Sequence, residues 1–126
     1  MLNNEASAAS VVSLADIAAR TTNLNGSWVD VRAYEGDLLI VLDIGAVSGT
    51  TPTLDVKIQD ATDGSGTGAA DITGAAFAQA TTANQRAKLV IPAGAPRSHI
   101  RVVGTVGGTT PNFTYSVTLL SRQKYV

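Results

Sequence analysis

Residues 45–58, Gly-Ala-Val-Ser-Gly-Thr-Thr-Pro-Thr-Leu-Asp-Val-Lys-Ile, are answered by residues 104–117, Gly-Thr-Val-Gly-Gly-Thr-Thr-Pro-Asn-Phe-Thr-Tyr-Ser-Val. The identities are Gly45/Gly104, Val47/Val106, Gly49/Gly108, Thr50/Thr109, Thr51/Thr110 and Pro52/Pro111. After each proline the apolar residues take alternate places, Leu54, Val56, Ile58 in one copy and Phe113, Tyr115, Val117 in the other. A period of two is the mark of a strand with one buried face. Each copy therefore reads as a strand end, a Gly-Thr-Thr-Pro turn and a new strand, that is, a hairpin. Two hairpins of one design predict an all-β sandwich with internal near-symmetry.

Outward from the repeats, the rest of the chain adds short strands. Trp28 to Ala33 is expected to be one, followed by a turn at Glu35-Gly36-Asp37. Leu38 to Ile44 is apolar on both faces until Asp43, as in a central strand covered on both sides. Asp60 to Ala70 is the most loop-like segment, and short strands are expected around Ile72 and Phe77. Arg86 to Ile91 follows, with Ala87, Leu89 and Ile91 inward, then His99 to Val106 and Phe113 to Leu120. Each proline of the repeats is expected at a strand's first position, where its missing N–H loses no ladder bond. The total is about seven to nine strands with turn signals at sandwich spacing. Val11 to Arg20 has weak helical spacing at Leu14, Ile17 and Ala18, but Val11-Val12 and the threonines beyond favour extended chain. The domain organisation expected is an N-terminal arm over 1–25 and a β-sandwich over 26–126.

Composition narrows the function. The 126 residues carry 44% apolar side chains, enough for one self-sufficient core. Charged residues make up 15% with a net charge of -1, which disfavours nucleic-acid binding, since that needs a basic face. There is no cysteine, so disulfides and thiol chemistry are excluded and zinc loses its main ligand. The start, Met1-Leu2-Asn3-Asn4-Glu5, lacks the basic stretch of a signal peptide. The longest apolar run, Leu38 to Leu42, is far below the roughly 20 residues of a spanning helix, so no membrane partner is expected.

Candidate chemistry is sparse. His99, the only histidine, stands next to Ser98 without a motif that would orient it as a base. Asp60, Asp63 and Asp71 surround a glycine-rich loop but lack calcium-loop spacing. Gly64, Gly66 and Gly68 lack the Lys-Ser/Thr and helix start of a phosphate loop. Trp28, Tyr34, Tyr115 and Tyr125 are dispersed and read as core or interface anchors rather than a stacking platform. Arg97, Arg101, Arg122 and Lys124 form a patch only if the last strands bring them together. No catalytic, cofactor-binding or metal residue is expected, and no enzyme.

The stretches 29–45, 49–59, 71–77, 100–104 and 113–120 resemble small structural proteins from the head-gene region of tailed bacteriophages. The similarity covers most of residues 28–120, and some members of that group are capsid decoration (cement) proteins. The resemblance implies a jelly-roll-like sandwich, self-association as a homotrimer, and the major capsid protein as partner. It further implies a virion location on the outer capsid surface, after synthesis in the host cytoplasm. The 1–25 arm and the 60–70 loop are the expected contact elements. The alternatives are another virion part, such as a head–tail connector or tail component, and a carbohydrate-binding module.

Overall fold

The computed structural model describes residues 8–124. Among them are seven strands: β1 (Ala9–Arg20), β2 (Leu24–Asn25), β3 (Val29–Asp30), β4 (Tyr34–Ala61), β5 (Ala70–Ala76), β6 (Gln85–Ile91) and β7 (His99–Gln123). All pair antiparallel in one hydrogen-bonded sheet, ordered β1-β7-β4-β5, with β2 and β3 also on β7 and β6 on β4. Among the described residues no helix is long and apolar enough to cross a membrane.

The long strands β4 and β7 overturn the hairpin reading. Neither Gly-Thr-Thr-Pro segment reverses the chain; each kinks a strand that then continues. Tyr34 pairs with Gln123 at one end of the β4–β7 ladder and Ala61 with His99 at the other. Thr50 pairs with Thr109 midway, so the two kinks cross each other. Their backbones match: φ is 110° at Gly49 and 109° at Gly108, then 47° at Thr51 and 44° at Thr110. A Cβ on Gly49 would lie 2.6 Å from the Thr110 carbonyl oxygen, and one on Gly108 2.6 Å from that of Thr51. The repeat is thus a local two-fold relation through Thr50 and Thr109, with glycine required where the copies touch. Pro52 and Pro111 sit inside the strands, not at their first residues. No ladder partner falls on Pro52 or Pro111, so their missing donors are harmless there.

The kinks divide the sheet into two four-stranded halves. One contains β1, the 112–123 part of β7, the 34–48 part of β4, and β6. The other contains β2 with β3, the 99–107 part of β7, the 53–61 part of β4, and β5. Both halves contribute to one core. Ile40, Leu42, Ile44, Phe113, Tyr115, Val117 and Leu119 of the first meet Leu54, Val56, Ile58, Ile100 and Val102 of the second. A fully buried side chain of this size contributes about 1.5–3 kcal/mol. The result is an all-β sandwich.

One residue breaks the two-fold relation. Ile44 pairs with Tyr115 and Val47 with Phe113, so Gly45 and Ala46 both face Thr114 in a bulge. The matching stretch of β7 is regular, with Gly104 opposite Val56 and Val106 opposite Leu54. Gly104 therefore corresponds in space to Ile44, not to Gly45. The pair Ile44–Tyr115 in one half is replaced by Gly104–Val56 in the other.

Residues 9–20, assigned above to an arm, are a strand of the sandwich. Extended chain wins over the helical spacing because β7 offers a ladder from Ala9↔Arg122 to Arg20↔Phe113, interrupted only by bulges at Leu14 and at Asp16–Ile17. Leu14 and Ala15 are buried in the core. Residues 1–7 of that arm, and Tyr125, lie outside the described residues. The Trp28–Ala33 strand is reduced to Val29–Asp30, with Val31 buried after it. In β6, Ala87 is exposed rather than inward, while Ile91 is buried.

Candidate interaction surfaces

The outer face of the first half can be followed across its strands. Val11 pairs with Leu120, Leu120 with Leu39, and Leu39 with Val90. Cross-strand partners point to the same side of a sheet. These four residues therefore form an apolar row across all four strands. Val11 is 71% and Val90 51% exposed, and Leu39 and Leu120 are half-buried. The next row is Ser13, Thr118, Val41 and Lys88. Below it come Ser116, Asp43 and Arg86, with β1 bulging at Asp16 and Ile17. On the opposite flank lie Ala9, Arg122 and Glu35.

Charge borders this apolar band on both sides. Arg122 Nε lies 3.1 Å from Glu35 Oε1, and Arg86 Nη2 lies 3.3 Å from Asp43 Oδ2. Exposed pairs of this kind contribute about 0–1 kcal/mol each. Their position matters more than their strength, because an apolar centre with a polar rim is how protein interfaces are built. The signal was in the sequence, in the run Leu38 to Leu42 that is apolar on both faces. β4 is central, as expected, but within the described residues only its inner face is covered.

β1 ends the sheet on its side. Its bulged part is closed off: the Arg20 guanidinium donates to the carbonyls of Asp16, Ala18 and Tyr115 and lies over the Tyr115 ring. Bulges and charges are common protections of a sheet edge. Residues 9–13 have regular pairing to β7 and no charged side chain, so this part of the edge lacks such protection.

At the far end of the sandwich the 60–70 loop is tied down. Asp63 accepts hydrogen bonds from the Ser65 and Thr67 amides and from the Thr67 hydroxyl at 2.6 Å. These bonds hold its carboxyl below the usual range. Arg97 donates to the Asp60 carboxylate at 2.8 Å and to the Gly68 carbonyl at 2.6 Å. Burial pushes Asp60 up, but the Arg97 bonds prevail and it is held low. Asp71 takes hydrogen bonds from Gln59 and Lys57, which lower it too. The three carboxylates thus serve three separate structural sites. Among the described residues no group of three or more His, Asp or Glu side chains could hold a metal ion.

The other candidates are also engaged locally. Ser98 Oγ donates to the Thr62 carbonyl oxygen at 2.8 Å and lies 2.7 Å from His99 Nδ1, so it joins the ring to the backbone. Gly64 and Gly66 face His99 and Trp28, not a cradle for phosphate. Trp28 is half-buried under the Arg101 guanidinium, 4.6 Å from its ring centre. Tyr115 is in the core and Tyr34 is half-buried beside Ser10, so these three aromatic residues do not share one face. Arg97 and Arg101 lie at the Asp60 end of the ladder and Arg122 at the Glu35 end. Arg97 and Lys124 do border one cleft of about 370 Å³ with Arg32, Tyr34 and Leu38. Two of its cations are already neutralised, Arg97 by Asp60 and Arg32 by Asp30 at 2.7 Å. Arg32 lowers the Asp30 carboxyl to about 2.

No family model matches the chain, and no curated protein does. Among solved structures it is similar to the SPBc2 prophage-derived protein YomS, at 13% identity and a TM-score of 0.48, over 90% of this chain and 95% of that one. It is also similar to a chain in the structure of the infectious bursal disease virus Gx strain, at 13% identity and a TM-score of 0.49. That match covers 93% of this chain and 32% of the viral one.

Proposed function

We propose that this protein is a structural component of a tailed-phage particle, a capsid decoration protein bound to the outside of the head through the major capsid protein. The observation that carries this reading is the unprotected 9–13 edge of β1, at the rim of a sandwich whose 60–70 loop is held in place by side-chain hydrogen bonds. An open edge can take up an extended strand of a neighbour, main-chain hydrogen bonds supplying affinity. The tied-down 60–70 loop is the second contact element in this reading, and its rigidity limits the entropy lost on docking. Ser98, His99 and the acidic residues are spent on structural bonds, which favours a binding role over catalysis. On a repeating lattice, copies linked to one another combine modest contacts into tight attachment. The trimer implied by the resemblance would act in this way.

The test is the protein's abundance in purified particles of the phage that encodes it, measured by quantitative mass spectrometry. Copy numbers comparable with the major capsid protein support decoration. A content matching the few copies of a connector or tail part overturns it in favour of that role. Absence from the particle overturns the structural assignment altogether.

A further inference from the structure

We infer that the outer face of β6–β4–β7–β1 is an interface with the same face of a second copy, about a two-fold axis that runs along the strands between β4 and β7. The face is self-complementary under that operation. Reversing the order of the strands lays Leu39 over Leu120 of the second copy and Val90 over Val11, so the apolar row meets itself. Glu35 falls over Arg122 and Arg122 over Glu35, turning two exposed ion pairs into one four-charge group. Arg86 on β6 falls over the bulge of β1 at Asp16, again opposite in charge. An axis across the strands instead would stack Glu35 towards Asp43 of the second copy, two carboxylates. Isologous contacts require this reciprocity, residue i touching j and j touching i.

Two further observations favour a second copy as occupant. Leu39 and Val41 are apolar at outward positions of the central strand, where a sheet face left in water carries polar residues. Four strands about 4.8 Å apart and some eight residues tall present a patch of roughly 15–20 Å by 25 Å. Over the two copies that is roughly 750–1,000 Å², the size of a weak, reversible association. Sheets packed face to face keep their strands within about 30°, which a two-fold axis along the strands allows. The inference does not rest on the capsid reading. It leaves β5 and the 60–70 loop free, so pairs of this kind can also join larger assemblies.

The full-length protein is to be weighed in solution by sedimentation and light scattering over a rising concentration series. A dimer, or an assembly of even order, is expected. Val11→Glu and Val90→Lys, both at exposed positions, should each halve the mass while leaving the melting temperature of the monomer unchanged. The chain carrying both should re-associate, because each new acid then lies opposite a new base of the second copy. A wild-type monomer at every concentration overturns the inference. So does an assembly of odd order, a mass that neither single variant alters, or a double variant that stays apart. None of these outcomes bears on abundance in the particle, so the two readings fail separately.

Discussion

The Tyr115 hydroxyl rests against the Cα of Gly104, in the space where a side chain at 104 would have to go. The contact joins the two halves of the sandwich. Across the local two-fold relation, Tyr115 stands where the other copy has Val56, and Gly104 where it has Ile44. A larger residue in one half of β7 is accommodated by the loss of a side chain in the other half.

Gly104→Ala should therefore destabilise the fold by about 1–3 kcal/mol through overpacking. Tyr115→Phe should be neutral or slightly stabilising, since no hydrogen-bond partner for the hydroxyl lies among the described residues. The double variant should recover much of the loss. Denaturant melts of the four proteins measure the coupling, and strict additivity would refute the contact.

The crossing kinks make a second prediction. Gly49→Ala and Gly108→Ala should be similarly damaging, about 2–4 kcal/mol each, since strain at positive φ adds to a collision with the opposite kink. Gly94→Ala, also at positive φ but with open space around it, should lose only about 1–2 kcal/mol. Thermal melts of the three variants provide the comparison. Equal losses at all three positions would mean that the kinks do not touch.

Acid should loosen the structure in a defined window. Asp30 and Asp60 are both held below their ordinary values, so their stabilisation is complete above the usual carboxylate range near pH 4 and is lost as the pH falls through their lowered values, about 2 for Asp30. The Asp30 pair is exposed and contributes little. Asp60 is the buried partner, so Asp60→Asn should lose roughly 1–2 kcal/mol at neutral pH and flatten the acid limb of the stability curve. Unfolding followed from pH 7 to pH 2 reads both. An unchanged acid limb in the variant would remove Asp60 from the account.

The N-terminal strand separates fold from arm. Leu14→Ala should lose about 2–4 kcal/mol as a core truncation. Ile17→Ala, at a side chain 67% exposed, should stay within about 0.5 kcal/mol. Equal sensitivity at the two positions, judged by denaturant midpoints, would contradict the placement of β1.

How much of this was legible beforehand depends on the range of the interaction involved. Alternation in Leu54-Asp55-Val56-Lys57-Ile58 and in Phe113 to Val117 identified strands and their buried faces, because a strand's side chains alternate whatever it pairs with. The doubled Gly-Thr-Thr-Pro segment identified an internal relation for the same local reason. Its meaning was not local. The same dihedral angles serve a turn or a kink, and the choice came from the opposite copy filling the space beside Gly49 and Gly108. The candidate surface divides in the same way. Leu39 and Val41 could be recognised as apolar on the second side of a central strand, but not as neighbours of Val11, Leu120 and Val90. Residues so far apart along the chain become one row only when β1, β7, β4 and β6 take their register, and that register is set by the packing of the shared core rather than by any one strand.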